Sequence, residues 1–125
     1  MHLRLLESRR DFGQCEAVIE HIALALIIQF VVFVLFRSWG AGAAAGCAWV
    51  VSREITQAEY RWIEQYGGGL RGNMPWWGGL DPAVWRHLDP LLDWIVPSTV
   101  VILVAIAAGA IKRRRATDQL EAPPT

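Results

Sequence analysis

The feature that most constrains this chain is a pair of charge-free stretches, Ile22–Phe36 and Ser38–Ser52, separated only by Arg37. As a helix the first spans roughly 22 Å, short of a hydrocarbon core of about 30 Å. Extending it back to Ala17 reaches the length of a span and brings in Glu20 and His21, polar groups that suit an interface. The second stretch has another character, with Gly40, Gly42 and Gly46 among Ala41, Ala43, Ala44, Ala45, Cys47 and Ala48. Such residues gain little from leaving water, but they let helix backbones approach closely, and Gly42 and Gly46 stand at GxxxG spacing. The reading is a transmembrane helical hairpin over 17–52, turning near Arg37-Ser38-Trp39-Gly40. The rival, one helix over 22–52, would be about 46 Å long and would leave Arg37 at the bilayer centre, where charge is costly.

A third span is expected over 90–111. Asp89-Pro90 reads as a cap followed by a helix-initiating proline, Pro97 lies in the early turns, and no charge occurs from Ser98 to Ile111. Lys112-Arg113-Arg114-Arg115 ends the apolar run, and 112–125 reads as a basic, then disordered tail. At the other end, residues 1–16 mix Arg4, Arg9 and Arg10 with Glu7, Asp11 and Glu16, a pattern for an amphipathic helix rather than a signal peptide.

Between the second and third spans, 53–89 reads as extramembrane. Val51, Ile55, Ala58 and Trp62 mark one helical face, and Arg53, Glu54, Glu59, Arg61 and Glu64 read as a solvated face with local ion pairs. Gly67-Gly68-Gly69 ends that helix. Asp81-Pro82 opens a short helix bearing Trp85. Seven Trp is a high count for 125 residues, and Trp76, Trp77 and Trp85 are candidates for an interface belt or a docking surface. The fold class is thus an all-α integral membrane protein: a two-span hairpin, an extramembrane helix with a Trp-rich loop, then a third transmembrane helix.

The chemistry is spare. Twelve basic residues balance twelve acidic ones, which gives no reason to expect a nucleic-acid partner. Cys15 and Cys47 are too few for a disulfide framework or zinc site, and both read as ordinary small residues. Asp81, His87, Asp89 and Asp93 read as caps and surface groups rather than metal ligands, and Glu20-His21 as an interface anchor rather than a proton relay. No nucleophile stands beside a base in any known motif, so no catalytic, cofactor or metal residue is assigned and no enzyme is expected.

Two stretches carry a resemblance: Glu20-His21 opening an apolar hairpin that leaves through Ser52-Arg53-Glu54-Ile55-Thr56-Gln57-Ala58-Glu59-Tyr60, and Asn73-Met74-Pro75-Trp76-Trp77-Gly78-Gly79-Leu80-Asp81-Pro82. They resemble small membrane proteins of tailed bacteriophages and prophages, some placed among lysis genes. Three spans and a basic C-terminal tail also resemble one class of phage holins, although the long 53–89 connection departs from it. The resemblance implies a multi-pass protein of the bacterial host inner membrane that self-associates to permeabilise it, or an accessory protein docking a membrane or lysis partner. Its other partner is the lipid bilayer. The basic cluster at 112–115 puts the C-terminus in the cytoplasm by the positive-inside rule. Arg37 then joins it inside, with the N-terminus and Trp-rich loop outside. Counting basic side chains alone favours two spans; helix length and the cost of a mid-membrane Arg37 favour three.

Overall fold

The computed structural model describes residues 2–86 and 88–121, with side chains over 15–86 and 91–120. The described residues form helices and contain no strand: α1 (His2–Phe36), α2 (Trp39–Gln65) and α3 (Leu88–Glu121), with three 3₁₀ turns at Arg71–Asn73, Gly78–Leu80 and Pro82–Trp85. All three α-helices pack on one another.

α1 and α2 form an antiparallel pair, which excludes the single long helix. The break is made locally. Arg37 adopts a left-handed backbone, φ 55°, while its N–H donates to the Phe33 carbonyl at 2.7 Å. Ser38 is extended, and its Oγ accepts from the Ala41 N–H at 3.2 Å, capping α2. The aromatic rings of Phe33 and Trp39 stack across the turn, centroids 4.1 Å apart.

α2 is one continuous helix through the expected second stretch and the extramembrane helix that leaves it. It ends at the glycines: Gly67 N–H bonds back to Ile63 at 3.1 Å, Gly69 N–H to the same carbonyl at 2.9 Å, and Gly68 and Gly69 take φ of 61° and 76°. α3 also exceeds expectation, running on through Lys112–Arg115 to Glu121, with Pro97 accommodated inside it. α1 likewise absorbs 1–16 from His2 onward. The side chains of 1–14, of His87 and of Asp89-Pro90, and the 122–125 end, lie outside the described residues.

Among the described residues two helices are long and apolar enough to cross a membrane, over Cys15–Phe36 in α1 and Leu91–Leu120 in α3. Most of each apolar stretch faces outward. Ile27, Phe30, Val31, Val34 and Leu35 of α1, and Ile102, Leu103 and Ile106 of α3, are exposed. The core is thin: Ala25, Ala43, Val50 and Val101, flanked by Leu26, Cys47, Trp49, Trp94 and Ala105.

Candidate functional site

The inner edge of α2 runs through every fourth residue: Gly42, Gly46, Val50, Glu54 and Ala58 are all buried. Its counterpart on α1 is His21, Ala25 and Gln29. At the turn end this edge is glycine because α1 lies almost in contact. A Cβ on Gly42 would stand 2.5 Å from the Gln29 carbonyl oxygen, and one on Gly46 would stand 3.0 Å from that of Ala25. Gly42 and Gly46 therefore seat α1 of the same chain. That face is occupied within the chain, by the other arm of the hairpin read over 17–52.

Two turns further along, the edge becomes polar. Glu54 is fully buried and His21 is 2% exposed, with His21 Nε2 3.5 Å from Glu54 Oε1. His21 Nδ1 lies 2.5 Å from the Ala17 carbonyl, and the Arg53 guanidinium donates to His21 Nε2. In a neutral imidazole these are complementary roles: Nδ1–H donates and Nε2 accepts. Trp49 closes one side, its ring 6.3 Å from that of His21 and 5.9 Å from the Arg53 guanidinium carbon. Arg61 of α2 and Asp93 of α3 complete the charged neighbourhood of Glu54. Two turns along α1 from His21, Gln29 Nε2 donates to the Val101 carbonyl at 2.9 Å, tying α1 to α3.

This corrects two readings. Glu54 is not on a solvated face, and His21 is not an interface anchor; the two meet inside the bundle while Glu20 stays exposed. The buried face of α2 is rotated by one residue from the Val51–Ile55 line, onto Val50 and Glu54, because Ile55 lies instead under the returning chain, its carbonyl 3.1 Å from a Cβ built on Gly79. A signal was available: one glutamate continues a four-residue stripe of Gly, Val and Ala. Taking a buried ion out of water costs several kcal/mol, repaid only by close partners. Here the Arg53 guanidinium bonds the His21 imidazole, which lies 3.5 Å from Glu54, so the cluster ties α1 to α2, while both Glu54 carboxyl oxygens are buried without a hydrogen-bond partner among the described residues.

The chain from Tyr66 to Arg86 folds back over the outer half of α2. Asp81 caps its turn through Oδ1, accepting from Ala83 N–H at 2.9 Å, and accepts the Trp62 indole N–H through Oδ2 at 3.1 Å. The Trp85 indole donates to Gly79 O at 3.0 Å, and Arg61 donates to Val84 O at 3.2 Å while lying 5.8 Å from the Trp85 ring centre. Asn73 closes on Gly67 O at 2.9 Å, and Arg71 pairs with Glu59 at 3.3 Å. Trp85 is thus a structural anchor. Trp76 is 88% exposed and Trp77 45% exposed, so those two alone of the docking candidates present open rings.

At the opposite end of the bundle sit Arg37, exposed in the α1–α2 turn, and the exposed Lys112, Arg113, Arg114 and Arg115 on α3. A groove there brings Trp39 of α2 beside Lys112 and Arg115. Among the described residues no cluster of His, Cys, Asp or Glu can hold a metal ion. No family model, curated protein or solved structure matches this chain. The class of protein therefore rests on the fold itself: described residues that are helical throughout their regular structure, with two helices among them long and apolar enough to cross a membrane.

Proposed function

We propose that the chain is a non-enzymatic, phage-type protein that crosses the bacterial inner membrane three times and self-associates, holin-like, to permeabilise it. The observation that carries this reading is the inversion of the bundle. Bare Ile, Leu, Val and Phe face outward on α1 and α3, while His21, Arg53, Glu54 and Asp93 are gathered within. A water-soluble domain puts those groups the other way round. α2 supports the third span by its position. It packs antiparallel to α1 from the Ser38 cap onward and also packs on α3, the two helices long and apolar enough to cross, which favours a crossing beside them. Arg37 and Lys112–Arg115 gather at one end, as the positive-inside rule asks of a cytoplasmic side.

With the Gly42–Gly46 face filled, a second copy has the outward apolar faces and an open groove between α2 and α3, lined by Gly40, Ala44, Cys47, Ile102 and Ala105. Self-association that draws the helices apart would turn the polar cluster toward a shared water-filled space. Controlled expression in bacteria tests the proposal. We expect abrupt loss of membrane potential and viability after a period of accumulation; accumulation without either result defeats it. A second reading is favoured by the open Trp76 and Trp77 rings: docking of a membrane or lysis partner. Photocrosslinks from positions 76 and 77 to protein support it, and crosslinks to lipid alone dismiss it.

A further inference from the structure

The end of the bundle that carries the turn holds a groove of about 480 Å³. It is lined by the apolar Trp39, Ala108 and Ile111 and by Lys112, Arg115 and Gln119. Trp39 belongs to the first turn of α2 and the cations to α3, so the site exists only because α3 continues as a helix past Ile111 and returns to the level of the hairpin turn. Lys112 and Arg115 lie three apart on that helix and both line the groove, while Arg114 does not. Neither cation has an acidic partner among the described ion pairs, and Arg37, two residues before Trp39, adds a further exposed cation at the turn. The juxtaposition is specific in kind: an indole and apolar wall on the side that continues into the apolar part of α3, and two donors of positive charge on the side beyond it.

We infer that this groove binds the headgroup phosphate of an anionic phospholipid, with Lys112 and Arg115 on the phosphate and Trp39 and Ile111 against the glycerol and first methylenes. Charge complementarity selects an anionic lipid over a zwitterionic one. The apolar wall selects a lipid over free phosphate. The inference rests on the membrane reading above but not on self-association: a chain that binds such a lipid and opens no membrane fails only the latter.

The test is native mass spectrometry of the full chain released from mixed micelles and titrated with phosphatidylglycerol or phosphatidylcholine. Wild type is expected to retain one phosphatidylglycerol in preference to phosphatidylcholine, and no preference overturns the proposal. The double variant K112Q/R115Q is expected to weaken phosphatidylglycerol binding roughly thirtyfold, about 2 kcal/mol at a tenfold per 1.4 kcal/mol. R113Q/R114Q removes the same charge but only one lining residue of a different groove, and is expected to weaken it severalfold at most; equal losses in the two variants overturn the site in favour of a diffuse field. Displacement of the lipid by inorganic phosphate at millimolar concentration also overturns it, because the groove then reads as an anion site without a lipid component.

Discussion

Replacing Gly42 with Ala tests the closest contact in the bundle. The added Cβ would stand 2.5 Å from Gln29 O, 3.0 Å from Gln29 Cγ and 3.2 Å from Gln29 C. Ordinary contact begins at 3.4 Å, so the oxygen is 3.4 − 2.5 = 0.9 Å too near. Two of those three atoms are backbone and cannot rotate aside, so α1 itself must move. Overpacking of this kind costs about 1–3 kcal/mol. Moving α1 also strains the 2.9 Å bond from Gln29 to Val101, which contributes about 0.5–1.5 kcal/mol where it is well made. Ala's helix propensity offsets about 0.5–1 kcal/mol. The net expectation is a loss of about 1–3 kcal/mol. Gly109 supplies the control, because nothing lies within 4 Å of its Cβ position. There the same substitution leaves only the propensity gain, so stability should rise slightly. Equilibrium unfolding in mixed micelles by SDS titration, followed by tryptophan fluorescence, measures both. If G42A proves as stable as wild type, or indistinguishable from G109A, α1 and α2 do not meet at this register.

Three further experiments probe other joints. In a double-mutant cycle, His21→Leu and Glu54→Leu should be non-additive by about 0.5–3 kcal/mol, given their 3.5 Å approach; additivity within experimental error would show that the two do not interact. Asp81→Ala removes both a cap and the acceptor for Trp62, so we expect a loss of about 2–4 kcal/mol and faster proteolysis between Gly67 and Arg86; an unchanged cleavage rate contradicts the packing of that segment. Arg37→Gly should stabilise the hairpin by about 1 kcal/mol, since φ 55° strains any residue with a Cβ, and a loss of stability there would mean that the Arg37 side chain outweighs its backbone.

What was legible in the sequence was local. The turn near Arg37-Ser38-Trp39-Gly40, Gly67-Gly68-Gly69 as a stop and Asp81-Pro82 as a start each act within a few residues, and each is found at its place. The hairpin followed from length and from the cost of Arg37 in mid-membrane. What escaped was pairing between distant positions. His21 and Glu54 are equally far from the Arg37–Ser38 turn on its two arms, so folding the arms together brings them level. Read one helix at a time, each is merely a polar residue among polar neighbours. The helix ends escaped for a related reason. A charge run such as Lys112–Arg115 stops an apolar stretch without stopping a helix, because Lys and Arg are good helix formers. The Trp residues could not be sorted either, since only tertiary contacts separate Trp85, which donates to Gly79, from the open Trp76.

Three crossings with the hairpin turn inside are the central claim, and the side on which the N-terminus lies tests it most directly. An odd number of spans sends the two termini to opposite sides, whereas α1 and α3 alone would leave them on the same side. A reporter active only in the cytoplasm should be silent when fused before His2 and active when fused after the basic cluster of α3. Activity at both ends would mean that α2 does not cross, and the three-span protein would have to be abandoned.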